Sequence, residues 1–164
     1  MAEDKPSEYK RPISDGLAST PAAKLMSRKI IYAMPNTPIH VAMQMMITHK
    51  VSGLPVADGK AKCLGVYSEL DAMLQGASQP LTAPIKYTTP AVFVSPTTPF
   101  REVLILIVKK KLKRLPVVDG AGSLVGIISR ADIMRYLYDD HLKEEEEEEV
   151  DRQKKIAELK KNKK

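Results

Sequence analysis

The chain has no tryptophan, one cysteine, two phenylalanines and three histidines in 164 residues. Its lone cysteine, Cys63, makes an internal disulfide impossible, so stability has to come from packing, and reducing surroundings suit it. Lying between Lys62 and Leu64 in an apolar run, Cys63 reads as a small buried hydrophobe rather than a reactive thiol. His40, His49 and His141 are scattered and show no metal-ligand spacing. There is no glycine-rich phosphate loop of the P-loop or Rossmann kind, and no nucleophile with an assigned base. No segment approaches the ~18 unbroken apolar residues of a membrane helix. The polar start, Met1 to Arg11, lacks the apolar stretch of a signal peptide. Together these absences predict a non-catalytic protein with no metal and no membrane association, placed in the cytoplasm.

What is present has the size of one domain. Hydrophobic content of 43% fits a globular chain too short for two large domains. The net charge is +6, yet from Lys143 to Lys164 eight basic residues balance eight acidic ones, so the surplus belongs to residues 1–142. Its densest patch is Lys109-Lys110-Lys111-Leu112-Lys113-Arg114. Such a run suits a solvated helix end, a ligand phosphate or a polyanion. Nucleic acid is the weaker reading, because the chain's eight aromatics are not interleaved with the basic residues.

The strongest signal is a repeat. Residues 26–75 align with 87–136 at a constant offset of 61 without a gap, with 13 identities in 50 positions. Unrelated pairing would give about three. Pro35, Thr37 and Pro38 recur as Pro96, Thr98 and Pro99; Leu54-Pro55-Val56 and Asp58-Gly59 recur as Leu115-Pro116-Val117 and Asp119-Gly120. Gly65, Ser68 and Asp71 recur as Gly126, Ser129 and Asp132. Two similar units of this length bury surface against each other, so a site comes in two related copies.

Each repeat reads β-α-β-β-α. The runs Ile30-Ile31-Tyr32-Ala33 and Ala91-Val92-Phe93-Val94 have strand character. Thr-Pro then starts helices near 38–49 and 99–111, with threonine expected to accept a first-turn amide. The first helix keeps one apolar face; the second is apolar nearly all round, which predicts burial on two sides. Strands follow at 54–57 and 115–118, then an Asp-Gly turn, then strands at 63–67 and 124–128. Proline inside each first strand places it at an edge or an irregular start. Second helices begin after Ser68 and Ser129. The predicted organisation is a flexible segment at 1–18, a first unit at 19–76, a linker at 77–86, a second unit at 87–140, and a charged tail at 141–164. Six glutamates, 144–149, precede the basic end, which predicts a frayed or disordered tail.

The pattern Gly-apolar-x-Ser-x-x-Asp, at 65–71 and 126–132, carries the chemistry. Serine caps a helix and the aspartate lies one turn on, where its carboxylate can accept vicinal ribose hydroxyls. A capping box explains a single copy equally well. The paired occurrence beside a proline strand favours the functional reading.

With Pro-x-Thr-Pro and Leu-Pro-Val-x-Asp-Gly ahead of it, this pattern resembles a tandem pair of CBS domains, a Bateman module, over about residues 20–139. The resemblance implies an α/β fold of two β-α-β-β-α units packed through their sheets with pseudo-twofold symmetry. It also implies clefts for an adenine nucleotide (AMP, ADP or ATP), a disc-shaped homodimer, and regulation of a separate, unidentified protein partner. By the same resemblance Asp71 and Asp132 hold ribose, while Ser68 and Ser129 reach ribose or phosphate. Ile30, Ile31, Val92 and Phe93 line adenine, and Leu54, Pro55, Leu115 and Pro116 form the other wall. Arg114, before Leu-Pro, and Arg130, beside Ser129, are the phosphate candidates. Their counterparts are Gly53 and Glu69, so one competent cleft, holding Asp132, Arg114 and Val92-Phe93, is expected beside a weaker one. A ligand-independent dimerisation scaffold is the main alternative, and nucleic-acid binding a lesser one. Titration calorimetry with AMP, ADP and ATP checks the inequality: one dominant site per chain is expected, and two equal independent sites would overturn it.

Overall fold

The two central helices begin without a side-chain cap, and the fold is arranged around that lack. The computed structural model describes residues 13–89 and 91–161. Taking elements in chain order, α1 is Asp15–Ala18, α2 Ala22–Leu25, α3 Ile39–His49, β1 Gly53–Ala57, β2 Cys63–Ser68 and α4 Glu69–Ser78. The second repeat supplies α5 Phe100–Lys109, β3 Arg114–Val118, β4 Leu124–Ser129 and α6 Arg130–Lys161. Pro38 and Pro99 occupy the N-caps of α3 and α5 and offer no acceptor. The threonines expected to cap are used one turn earlier. Thr37 Oγ1 accepts from Met34 N at 2.9 Å, and Thr98 Oγ1 from Ser95 N at 3.1 Å.

The first amides of these helices are taken by backbone from the stretch that precedes the other repeat. Ile39 N donates to Ala83 O at 2.9 Å, and Phe100 N to Thr20 O at 2.7 Å. Ile85 N returns a bond to Thr37 O, and Ala22 N to Thr98 O. A buried amide left without an acceptor would cost roughly 1–3 kcal/mol, so each repeat depends on chain from beyond its own limits.

The exchange continues in the sheets. β1 pairs antiparallel with β2, Leu54 opposite Tyr67, and β3 with β4, Leu115 opposite Ile128. Ser27, at the start of the first repeat, bridges Ile127 in β4; Thr88, at the start of the second, bridges Val66 in β2. The chain then crosses to its own sheet, where Ala33 bridges Val56 and Val94 bridges Val117. The runs 30–33 and 91–94 are therefore crossings and not the strands expected of them, because they span two sheets and cannot lie along either. The prolines fit this. Pro55 O accepts from Ala33 N and Pro116 O from Val94 N, so each ring nitrogen faces a neighbour that pairs only once. Gly65 and Gly126 lie where other chain passes close: a Cβ at Gly65 would meet Thr88 O, and one at Gly126 the Met26 side chain.

The Asp-Gly turns join the two halves at their tips. Asp58 Oδ1 accepts the amides of Lys60 and Lys62, and Asp119 Oδ1 those of Ala121 and Ser123. The Lys62 and Lys60 amides hold the Asp58 carboxyl below its ordinary value. Cys63 N donates to Gly122 O and Leu124 N to Ala61 O, tying one tip to the other.

Packing redraws the boundaries read from the repeat. One core gathers Ile39, Ala42, Met46, Leu54, Val56 and Tyr67 with Ile85, from the expected linker. The other gathers Phe100, Val103, Ile107, Leu115, Val117, Ile128 and Ile133 with Leu17, Ala22 and Leu25. The segment expected to be flexible thus builds α1 into the second core from Ser14 onward, while residues 1–12 lie outside the described residues. Burial of α5 is one-sided, with Ile105 and Val108 exposed.

The tail corrects its expectation too. α6 runs unbroken to Lys161, and residues 162–164 lie outside the described residues. Lysines close the helix at the negative end of its dipole, and glutamates meet cations across one turn, as in Arg152 to Glu149 at 3.2 Å. The extension also contains neither glycine nor proline. Replacing Leu17 by alanine, although it precedes both repeats, is expected to lower unfolding free energy by about 2–4 kcal/mol in urea denaturation, as for any core leucine.

Candidate functional site

The crossing at 88–94 walls a cleft between the two sheets. Its cavity, of about 420 Å³, is lined by Ser52, Gly53, Val66, Ser68, Glu69, Leu70 and Asp71 from the first repeat. Thr88, Ala91, Val92, Lys111, Leu112, Lys113 and Arg114 line the opposite side. Thr88 is held on β2 and Val94 on β3, so the residues between them must bridge the two units. That geometry makes the cleft composite.

Ser68 and Asp71 form the complete capping box of α4. Asp71 Oδ2 accepts Ser68 N at 2.8 Å and Ser68 Oγ at 2.6 Å, while Ser68 Oγ accepts Asp71 N at 3.2 Å. Ser129 and Asp132 repeat the arrangement at 2.8, 2.6 and 3.3 Å. In both, the cap consumes a single carboxylate oxygen. Asp132 Oδ1 meets Arg135 at 3.4 Å. Asp71 Oδ1 has no hydrogen bond among the described residues, so it stays available to a hydroxyl on a ligand.

Positive charge faces this pair. Arg114 is half-buried, and its Nε is buried with no protein partner. Burial pulls its pKa below the ordinary arginine value, against the attraction of Asp132 and Glu69, and a nearby anion would offset that desolvation. Lys113 Nζ reaches Glu69 Oε2 at 2.9 Å across the mouth, with both side chains about half exposed. Lys111 completes the group from a left-handed backbone, φ 52°. Its repeat counterpart Lys50 has the same φ and lies outside this cavity. There Lys50 ends α3: its own amide reaches Ile47 O and the next, Val51 N, reaches Met46 O, a turn glycine usually makes.

The predicted site residues separate into three groups. Ser68, Asp71, Val92 and Arg114 come together around the cavity. Arg114 and Val92 line this cleft with Asp71 of the other repeat, because the crossing carries 91–92 over the first unit's sheet, while Arg114 also stays within the attraction of Asp132, the partner expected for it. Leu54, Pro55, Leu115 and Pro116 are fully buried, their side chains part of the cores. Phe93 is half exposed and does not line this cavity. Ile30 and Ile31 lie half-buried on the other crossing, at positions equivalent to 91 and 92. With Lys50, Ser52 and Gly53 they stand where the 61-residue correspondence puts a second cleft beside Ser129 and Asp132. Arg130 donates through Nε to Leu112 O at 2.7 Å and through Nη2 to Lys111 O at 2.8 Å, bracing the turn after α5. Lys111, Lys113 and Thr88 were not singled out by motif; the basic run at 109–114 was the signal for the lysines.

A larger, shallower groove of about 720 Å³ lies between α3 and α4, lined by Met43, Met46, Ile47 and Met73 with Lys50, Glu69 and Arg114. It lacks the Ser-Asp pair and is mainly apolar. Among the described residues no group of three or more His, Cys, Asp and Glu side chains could hold a metal ion. Nor is any helix among them long and apolar enough to cross a membrane.

The CBS domain family model matches the chain twice, over residues 22–75 and 85–139. The chain belongs to the CBS domain family. This CBS pair is 27% identical over 125 residues to the uncharacterized 17.7 kDa protein in the bps2 3' region of Acidianus ambivalens, covering 75% of this chain and 76% of that one. It is 29% identical over 116 residues to the inosine-5'-monophosphate dehydrogenase of Methanocaldococcus jannaschii; the match takes in 70% of this chain and 23% of that enzyme. Among solved structures it is similar to CBSX2 in complex with AMP, at TM-score 0.61 and 26% identity over 70% of this chain and 93% of that one. A CBS domain pair in complex with 5'-methylthioadenosine and S-adenosyl-L-methionine gives TM-score 0.62 and 25% identity over 71% and 94%. The α/β fold of two α-β-β-α units, each bridged once by the crossing before it, is that of these CBS pairs. Replacing Lys111 by glycine removes a charge from the cleft and also relieves its left-handed backbone; urea denaturation is expected to show a gain of about 1 kcal/mol.

Proposed function

We propose that this CBS pair is a regulatory module that binds an adenine nucleotide in the composite cleft and signals to a separate protein. The observation that carries the reading is one cavity with the Ser68-Asp71 pair on one side and Arg114 on the other. Asp71 Oδ1 accepts ribose hydroxyls, while Ser68 remains the helix cap that sets the carboxylate in place. Arg114, Lys111 and Lys113 receive phosphate, with guanidinium the stronger partner because it can donate two parallel hydrogen bonds to one phosphate. Val66, Ala91 and Val92 give the base an apolar slot. AMP in CBSX2, and the two adenosine compounds in the other CBS pair, support adenosine as the common part of the ligand.

The two clefts are unequal in this reading, and the stronger is the one at Asp71. Lys113 and Arg114 are shared, because their counterparts Ser52 and Gly53 also line the cleft at Asp71; the inequality rests on the carboxylates, with Asp71 Oδ1 open among the described residues and Asp132 Oδ1 engaged by Arg135. Arg130, beside Ser129, is engaged with the carbonyls of Lys111 and Leu112 and is not free for a ligand. The module acts as a homodimer in the cytoplasm. Ile47 and Met73 on α3 and α4, and Ile105, Val108 and Met134 on α5 and α6, offer exposed apolar surface to a second copy.

A thermal-shift panel with AMP, ADP and ATP at millimolar concentration tests this. At least one nucleotide is expected to raise the melting temperature. Arg114→Ala is expected to weaken binding about tenfold or more, as for the loss of a charged hydrogen bond, and Asp132→Ala to weaken it far less. No shift with any of the three would favour a ligand-independent scaffold. A larger loss from Asp132→Ala than from Arg114→Ala would move the main site to the other cleft.

A further inference from the structure

The last 20 described residues of α6 project from the cores, and every residue from Glu145 to Lys160 is exposed. At about 1.5 Å per residue, this stretch extends roughly 25 Å. One stripe along it has the alternating spacing of three and four that lets two helices pack: Leu142, Glu145, Glu149, Arg152, Ile156 and Leu159. Leu142, Ile156 and Leu159 are exposed at 39%, 48% and 64%. The stripe is acidic before its midpoint and basic after it, with apolar residues at both ends.

We propose that this stripe pairs antiparallel with the same stripe of a second copy, about a twofold axis between Val150 and Asp151. In that register Leu142 meets Leu159 at each end, and Glu149 meets Arg152 on each side of the axis. Just outside the seam, Glu148 faces Lys155. Glu145 lies beside Ile156, with its aliphatic stem against the isoleucine and its carboxylate turned to solvent. Each contact occurs twice, as an isologous interface requires. Parallel pairing would instead set Glu144–Glu149 against the same six glutamates, which repel. Arg152 already lies 3.2 Å from Glu149 of its own helix, and its further guanidinium donors let it bridge to the partner's carboxylate as well. The proposal is independent of the nucleotide reading and of the apolar faces on α3 to α5.

Cysteine cross-linking of the full chain, in a Cys63→Ser background, decides it. Leu142→Cys and Leu159→Cys are introduced singly and together, and mild oxidation is followed by non-reducing electrophoresis. These exposed positions do not touch the cores, and the two sites in one helix are too far apart to bridge internally. Covalent dimer is expected from the double variant and not from either single variant. Dimer from the single variants at equal yield would show parallel pairing and overturn the proposal. Absence of dimer from all three, as when the helix engages another protein or nucleic acid, would overturn it as well. At low salt, Arg152→Glu added to the double variant is expected to cut the dimer yield several-fold, and Glu149→Arg in the same chain to restore it; an unchanged yield would overturn the register.

Discussion

Two helices that start at a proline, with nothing in their own sequence to accept their first amides, tie this molecule together. Proline at the N-cap of α3 and α5 gives the chain its turn but supplies no side-chain oxygen. The acceptors, Ala83 O and Thr20 O, lie in stretches that lead into the opposite repeat. Neither half can therefore fold to completion with its own residues alone. The same reciprocal demand sends Ser27 to β4 and Thr88 to β2, and these bridges fix where the chain must cross.

The cleft follows from that crossing. Were each repeat self-contained, Asp71 would face Ile30, Ile31 and Gly53, and Arg114 would stand with Asp132 alone. Exchange sets the aspartate of the repeat that has Gly53 at the arginine position opposite Arg114 of the other. The helix cap formed by the Ser-Asp pair and the ligand contact proposed for it do not compete, because the cap uses Oδ2 and leaves Oδ1. A capping box is thus compatible with such a contact, and it anchors a carboxylate that lines the cavity.

Much of this was legible in the order of residues, and what escaped has a common cause. Helix positions, the antiparallel pairs, the turns and the Ser-Asp geometry are local, written in spacing and turn chemistry, and the 61-residue repeat gave two equivalent units. The exchange between repeats left no local mark. Ile30 to Ala33 has the composition of a strand, yet it spans two sheets because of partners 23 and 100 residues away from the bridging residues, Val56 from Ala33 and Ile127 from Ser27. For the same reason the arginine was grouped with Asp132 alone, though it also lines the cleft of Asp71, and Leu17, before the repeat begins, was left out of the core it helps build. Arg130 shows a different limit: its position suggested a ligand, but two backbone carbonyls reach its guanidinium first. In the tail, composition suggested disorder, while the order of the charges, acid before base, favours one continuous helix.

That continuity gives α6 a mechanical property. The helix starts at the Ser129-Asp132 cap, on the strand that carries the second core, and runs 32 residues without a break. At about 1.5 Å per residue its far end stands roughly 48 Å from its root. A tilt of about five degrees at the cap would sweep that end through about 4 Å, the scale of a side chain, while moving the atoms at the root by only tenths of an ångström. A rod of this length amplifies any change of tilt at its root along its whole extent.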